Sequence, residues 1–300
     1  MSWERYRLNL GFETGASIFS VLWRGYQLNH RVLGTAFLIA HDEDGLLGIC
    51  LGAKHVFDEI VDMHVEDPGR RMPMGWPSNR GIGSNPGEYT FEAIPPSGGA
   101  SVAVTMSAQT VFADVLAVSS IPEKDLALFL VKLRTDQPIR FRNAIPLSLS
   151  CPAPGTRVLI AAYDAQRNTH SEGGHRIGTQ IFLTRKFVAR GGHIVESYPE
   201  GAGLVRGHAL QTNIPCTGGM SGAPVFLSDN FPELSICGIV STDMSPTESF
   251  ADNNVDGTSM ISCANHLEKL EFSGRERRFL FSELLLPKNV SLLFQQLPRR

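Results

Sequence analysis

No apolar run in the 300-residue chain approaches the roughly 20 residues that a membrane-spanning helix needs, which excludes a helical anchor. The amino terminus, Met1-Ser2-Trp3-Glu4-Arg5-Tyr6-Arg7, lacks the apolar core of a secretory leader. With the initiator Met, this sets the expectation of a cytoplasmic protein. There is no basic excess either. The formal net charge is -3, which argues against nucleic acid as the main partner, although a local basic patch remains open. Cysteine is sparse: Cys50, Cys151, Cys216, Cys237 and Cys263 are odd in number and scattered. No pair shows Cys-x-x-Cys spacing and no Cys/His group has metal-ligand spacing, so neither a disulfide framework nor a zinc site is expected. Helical periodicity is missing until Phe281–Gln296, which reads as one helix interrupted near Pro287.

Short apolar, β-branched runs separated by Gly, Pro, Asn and Asp clusters take the place of helices. Candidate strands are Ser17–Leu22, Thr35–Ala40, Leu46–Leu51, Tyr89–Ala93, Ser101–Met106, Val111–Ala117 and Leu126–Lys132. A second set comprises Arg157–Ala162, Gln180–Lys186, Gly192–Ser197, His208–Gln211, Pro224–Leu227, Ser235–Ser241 and Met260–Ala264. Many short strands with few helices imply an all-β protein of barrels or sandwiches. Glu66–Ser84, rich in Gly, Pro, Arg and Met, reads as a long exposed loop, and Thr135–Ala144 as a connection between two strand-rich halves.

Chemistry concentrates in three places. In Thr217-Gly218-Gly219-Met220-Ser221-Gly222-Ala223-Pro224, flanking glycines allow a tight turn that lifts the serine hydroxyl clear of the backbone. The N–H groups of Gly219 and Ser221 are then natural donors to a developing oxyanion. Alone, this pattern also fits a plain β-turn. The second place is Cys50-Leu51-Gly52-Ala53-Lys54-His55-Val56, preceded by Gly34-Thr35-Ala36-Phe37-Leu38-Ile39, which ends a strand on an imidazole suited to proton transfer near neutral pH. A lone His after an apolar strand is otherwise structural. The third is Lys124-Asp125-Leu126-Ala127-Leu128-Phe129, a carboxylate at the start of an apolar strand, where an Asp can also be a turn former. Asp58 and Asp114 are rival carboxylates, and Asp58 stands too close in sequence to His55.

Together these segments resemble the trypsin-like serine peptidases of the chymotrypsin clan. Gly219-Met220-Ser221-Gly222-Ala223-Pro224 is similar to that family's nucleophile box, Thr217-Gly218-Gly219-Met220-Ser221-Gly222 also to its glutamyl-endopeptidase and other bacterial branches, and Asp-Leu-Ala-Leu to its catalytic-Asp segment, especially in bacterial high-temperature-requirement proteases. The order His, Asp, Ser is the chymotrypsin order. The resemblance spans roughly residues 16–264 and implies two antiparallel six-stranded β-barrels with the active site in the cleft between them, about 1–140 and 141–300, and a carboxy-terminal helix on the second barrel. It implies a serine endopeptidase with His55, Asp125 and Ser221 as triad, Gly219 and Ser221 as oxyanion hole, a polypeptide substrate, and neither metal nor organic cofactor. Ser241, in Cys237-Gly238-Ile239-Val240-Ser241, would support Asp125 and line the substrate channel, or simply end a buried strand.

Departures from the family pattern leave specificity and control open. Met220 stands where animal trypsins carry an Asp that pairs with a newly cut amino terminus, so that route of activation is not implied. Pro215, Cys216 and Thr217 fall at the floor of the substrate pocket and Asp243 on its opposite wall, where it would narrow the pocket, attract a basic side chain, or merely sit in an exposed loop. His170, His175, His193 and His208 read as surface or loop. Two other functions stay in view: a catalytically silent, protease-like binding module, and a latent effector switched on by a protein partner.

Overall fold

The computed structural model describes residues 4–5, 17–24, 30–66, 88–94, 100–106, 109–134, 136, 139–164, 186–228, 234–242 and 257–297. Within them the β-branched and aromatic runs are strands, as suits side chains that pack well on a pleated, half-buried surface. In the first half these are β1 (Ile18–Arg24), β2 (His30–His41), β3 (Leu47–Ala53), β4 (Ala100–Met106), β5 (Gln109–Ile121) and β6 (Leu126–Lys132). Antiparallel pairing runs β1–β2–β3–β6–β5–β4 and returns from β4 to β1, closing a six-stranded barrel.

In the second half lie β7 (Arg157–Asp164), β8 (Lys186–Tyr198), β9 (Ala209–Thr212), β10 (Pro224–Leu227), β11 (Ile236–Val240) and β12 (Ser259–Cys263). Their pairing runs β7–β8–β9–β12–β11–β10 and back to β7. Adding six to each label of the first barrel reproduces the second, so the two barrels share one connection order. Closure removes the exposed edges that open sheets must protect. This is the chymotrypsin-like architecture of two six-stranded antiparallel barrels.

Alternation along β7 couples the barrels. Val158, Ile160 and Ala162 enter the core of the second barrel, while Leu159, Ala161 and Tyr163 join the larger apolar cluster that continues into the first. The connection between the halves is strapped to both: Phe141 N–H donates to Gly45 O at 2.7 Å and Ile145 N–H to Leu38 O at 2.9 Å, and Leu147 then bridges Ile236 of β11.

Three expectations need correction. Helix α1 (Lys54–Glu66) follows β3 directly, with Val56, Phe57 and Ile60 buried on one face and an ion pair between Lys54 and Asp58 one turn apart. This amphipathic stripe is short and lies within a β-rich stretch of sequence. Residues 67–84 of the expected loop lie outside the described residues, as do 180–185 of the expected strand ending at Lys186. The stretch Tyr89–Ala93 is divided between two short strands, Glu88–Thr90 and Glu92–Ala93.

The third correction concerns the carboxy terminus, which packs against the first barrel rather than the second. Helices α2 (Phe281–Leu284) and α3 (Pro287–Gln295) are separated at Leu285-Leu286, and Pro287 opens α3, where its missing N–H has no helical acceptor to lose. Val290 and Leu293 share the first barrel's apolar cluster with Phe272, Phe279 and Phe281. Strand β13 (Glu271–Ser273), paired with β14 (Arg278–Leu280), runs parallel to Glu88–Thr90, and Phe272 contacts the rings of Tyr89, Phe91 and Phe281. The chain ends are therefore exchanged, since Glu4–Arg5 pairs with Arg190 and Gly191 of β8 in the second barrel. Among the described residues no helix is long and apolar enough to cross a membrane.

Phe272 is fully buried among these rings. Phe272→Ala is expected to destabilise the chain by about 3–5 kcal/mol, read as a lower midpoint in urea unfolding. An unchanged midpoint would mean that the carboxy-terminal segment is not part of the folded core.

Candidate active site

The site is built where the start of α1 meets the turn before β6. Pro122–Lys124 form one 3-10 turn, after which Asp125 adopts a left-handed conformation (φ 50°, ψ 36°). It is the only non-glycine residue with positive φ among the described residues. Asp tolerates that conformation better than most side chains, yet it is still strained, and strain of this kind persists where surrounding bonds over-determine it. Those bonds are present. Asp125 N–H donates to Pro122 O at 3.2 Å, and Asp125 O accepts from Lys54 N–H at 3.1 Å.

The Asp125 carboxylate then gathers three further groups. Oδ1 accepts the backbone N–H of His55 at 2.9 Å, Oδ2 lies 2.8 Å from His55 Nδ1, and Ser241 Oγ donates to Oδ2 at 2.5 Å. His55 lies in the first turn of α1, where backbone N–H groups lack helical acceptors and an anion is favoured. One buried carboxylate therefore caps the helix and orients the imidazole that the helix carries. The Asp125 side chain is 4% exposed and that of His55 21%, so the ring stands at the edge of a region closed behind it. The rival carboxylates are elsewhere: Asp58 pairs with Lys54, and Asp114 sits in register with Ser101 and Lys132.

Ser221 comes from the second barrel on the turn before β10. Met220 N–H donates to Thr217 O at 3.1 Å and Ala223 N–H to Met220 O at 2.9 Å. Gly219 (φ 87°) and Gly222 (φ 82°) take conformations that side chains disfavour. Among the described residues neither the Gly219 nor the Ser221 N–H donates a hydrogen bond. Ser221 Oγ donates to Thr242 O at 3.1 Å. Met220 is fully buried in the second core, so apolar packing occupies the position where an ion pair is absent.

Thr35, not among the residues expected at the site, fastens this turn to the first barrel. Its N–H donates to Ser221 O at 2.8 Å, its Oγ1 donates to Gly219 O at 2.7 Å, and the same oxygen accepts from Tyr163 N–H at 3.1 Å. Gly34 beside it is required by close approach, because a Cβ there would stand 2.9 Å from Ser221 O. The signal in the sequence is the Gly34-Thr35 pair between the apolar residues Val32-Leu33 and Ala36-Phe37-Leu38-Ile39-Ala40.

The expected pocket residues are gathered only in part. Pro215, Cys216 and Thr217 are buried, and the Cys216 thiol hydrogen-bonds Ser259 and Thr242. Burial pushes that thiol up to about 11 against the opposing pull of Ser259, Arg190 and Thr242, so it remains protonated near neutral pH. Behind it, Arg190 of β8 is 5% exposed and donates to Pro215 O at 2.6 Å, a contact not visible in the sequence. Asp243 lies outside the described residues, as do His170 and His175. His193 lies on β8, and His208 is not a free surface group, since its Nε2 lies 2.7 Å from Ser197 Oγ. Among the described residues no group of three or more His, Cys, Asp or Glu side chains is arranged to hold a metal ion.

No known family model matches the chain, and no curated protein matches it in sequence. Solved structures similar to it include the Rv3671c protease from M. tuberculosis in its active form, at 15% identity over 89% of this chain and 85% of that one, with a TM-score of 0.47. The MamO protease domain from Magnetospirillum magneticum, in its apo form, is 13% identical over 85% of this chain and 95% of its own, with a TM-score of 0.47. The thermostable serine protease AL20 from an extremophilic microorganism is 12% identical over 83% and 91%, again with a TM-score of 0.47. The two-barrel assignment rests on the closed strand pairings described above.

Gly222 and Gly155 test the turn together, because both have positive φ but only Gly222 is crowded. A Cβ at Gly222 would collide with Thr35 O and stand 2.8 Å from Ala53 N, whereas one at Gly155 (φ 89°) meets nothing within 4 Å. In denaturant unfolding, Gly155→Ala is expected to cost about 1 kcal/mol and Gly222→Ala about 3 kcal/mol or more. Equal effects would show that the turn is not clamped between the barrels.

Proposed function

We propose that the chain is a serine endopeptidase, hydrolysing peptide bonds of polypeptide substrates through an acyl-enzyme at Ser221. The observation that carries this reading is the Asp125 carboxylate, bound to His55 N–H, His55 Nδ1 and Ser241 Oγ, with Val240 beside Ser241 bonded through its backbone to Gly222 and Ala223 of the Ser221 turn. A carboxylate on Nδ1 leaves Nε2 of His55 as the basic nitrogen and stabilises the imidazolium once a proton arrives. For attack, the Ser221 hydroxyl turns from Thr242 O toward His55 Nε2, the oxygen adds to the scissile carbonyl, and His55 takes the proton. The N–H groups of Gly219 and Ser221 stabilise the oxyanion. His55 then protonates the leaving amine, and water, activated by the same imidazole, releases the acyl group. Ser241 acts as a positioning residue through Asp125.

A second reading has one observation in its favour. The Ser221 hydroxyl donates to Thr242 O, an arrangement suited to a latent protease that engages His55 only when substrate or a protein partner displaces that bond.

A fluorophosphonate probe tests both, with the labelled residue identified by mass spectrometry. The purified chain is expected to be labelled at Ser221 and the Ser221→Ala variant not at all. Asp125→Asn is expected to slow labelling by a factor of about 10⁴ through the wrong imidazole tautomer, and Ser241→Ala by about tenfold through loss of a bond to a charged group. Labelling that appears only after addition of lysate favours the latent reading. A chain labelled in neither setting is a silent binding module, and the endopeptidase assignment fails.

A further inference from the structure

The second barrel carries a paired-thiol cluster that the proposed chemistry does not use. Cys151, on the segment leading into β7, has its Sγ 3.0 Å from Sγ of Cys263 at the end of β12, although 112 positions separate them in sequence. Cys151 is half-buried and Cys263 fully buried, so a reagent from solvent meets Cys151 first. His208 Nε2 stands 3.5 Å from Cys151 Sγ, and His266 Nε2 donates to His208 O at 2.8 Å. Two thiolates sharing a tetrahedral zinc ion stand about 3.8 Å apart, wider than this pair, whereas a disulfide needs the sulfurs to close to about 2.05 Å. Either arrangement needs a shift of about 1 Å or less, and among the described residues no group of three or more His, Cys, Asp or Glu side chains could hold a metal ion, so a covalent bond is the chemistry this pair can form by itself.

We propose that Cys151 and Cys263 form a redox modification site, oxidised to an intramolecular disulfide by a low-molecular-weight disulfide of the glutathione class. The half-buried Cys151 thiol gives up its proton to water and the thiolate attacks one sulfur of the small disulfide, expelling a thiolate that takes up a proton in its turn. Cys263 then attacks Cys151 Sγ, and its proton leaves with the second small thiol. Two protein thiols and one small disulfide become one protein disulfide and two small thiols, so atoms and electrons balance.

The two partners are already differentiated. The hydrogen bond between them lowers the Cys151 thiol and, with burial, raises that of Cys263, which suits one to attack and the other to resolve. The remaining thiols are poor competitors, since burial raises Cys50 well above its ordinary value, Cys216 to about 11 and Cys237 to about 12. The crosslink would also bear on the site already described. On β12, Ser262 Oγ donates to Lys124 O beside Asp125, and Met260 O accepts from Ser241 N–H. The proposal stands whether or not Ser221 is a nucleophile.

The test uses the purified 300-residue chain, equilibrated in oxidised or reduced glutathione, quenched by alkylation under denaturing conditions and read by intact mass, peptide mapping and thermal melting. In oxidised glutathione, three of the five cysteines are expected to be alkylated, with a Cys151–Cys263 crosslinked peptide and a melting temperature about 5–10 °C higher, all reversed by reduction. Cys263→Ala, lacking the resolving thiol, is expected to hold one glutathione on Cys151, and Cys151→Ser to show four alkylated cysteines and no crosslink. Five alkylated cysteines in the oxidised wild type, a crosslink joining a different pair, or no adduct on Cys151 in Cys263→Ala would each overturn the proposal.

Discussion

A buried carboxylate that is not fully satisfied is among the least tolerable groups in a protein interior. Asp125 meets that constraint by drawing one backbone N–H, one imidazole nitrogen and one hydroxyl onto its two oxygens. The donors come from different elements: His55 from α1 beside the first barrel, Ser241 from the strand end in the second. Satisfying one charge therefore fixes the start of α1, the ring orientation of His55 and the relative position of the two barrels at the cleft. The left-handed backbone of Asp125 is the strain accepted for aiming the carboxylate there.

Thr35 does the corresponding work for Ser221. Where Asp125 uses charge, Thr35 uses the two hydrogen-bonding faces of a hydroxyl and one backbone N–H to hold Gly219 O, Ser221 O and Tyr163 N–H. The turn bearing Ser221 is thus gripped from the opposite barrel, with Gly34 and Gly222 lacking side chains where a Cβ would meet backbone. From behind, Met220 anchors the turn in the second core and Arg190 holds Pro215 O. The turn is held on both sides, which is the rigidity that the proposed acyl transfer would require of it.

Local motifs were readable because their chemistry is encoded within a few residues. Gly219-Met220-Ser221-Gly222 needs its glycines at positive φ, and Asp125-Leu126-Ala127-Leu128 needs its Asp immediately before a strand. Both conditions are met in the fold. Strand alternation and turn residues likewise announced the two β-rich halves. Helix α1 escaped notice because its apolar stripe of Val56, Phe57 and Ile60 is only two turns long and follows a strand without a capping residue of its own. Its cap is Asp125, 70 positions from His55.

By itself, the amino-acid sequence determined most of the strands, which turns hold glycine and which side chains are candidates for acid–base chemistry, because these depend on neighbours along the chain. Only the tertiary structure decided that Ser241 meets Asp125, that Arg190 stands behind Pro215, that Cys151 faces Cys263, and that the carboxy-terminal helices cover the first barrel. An amphipathic helix declares that one face will be buried, but not against what, and the apolar stripe of Val290 and Leu293 would suit either barrel. Contacts across 25 to 116 positions arise from the closure of the barrels, and closure depends on every strand at once.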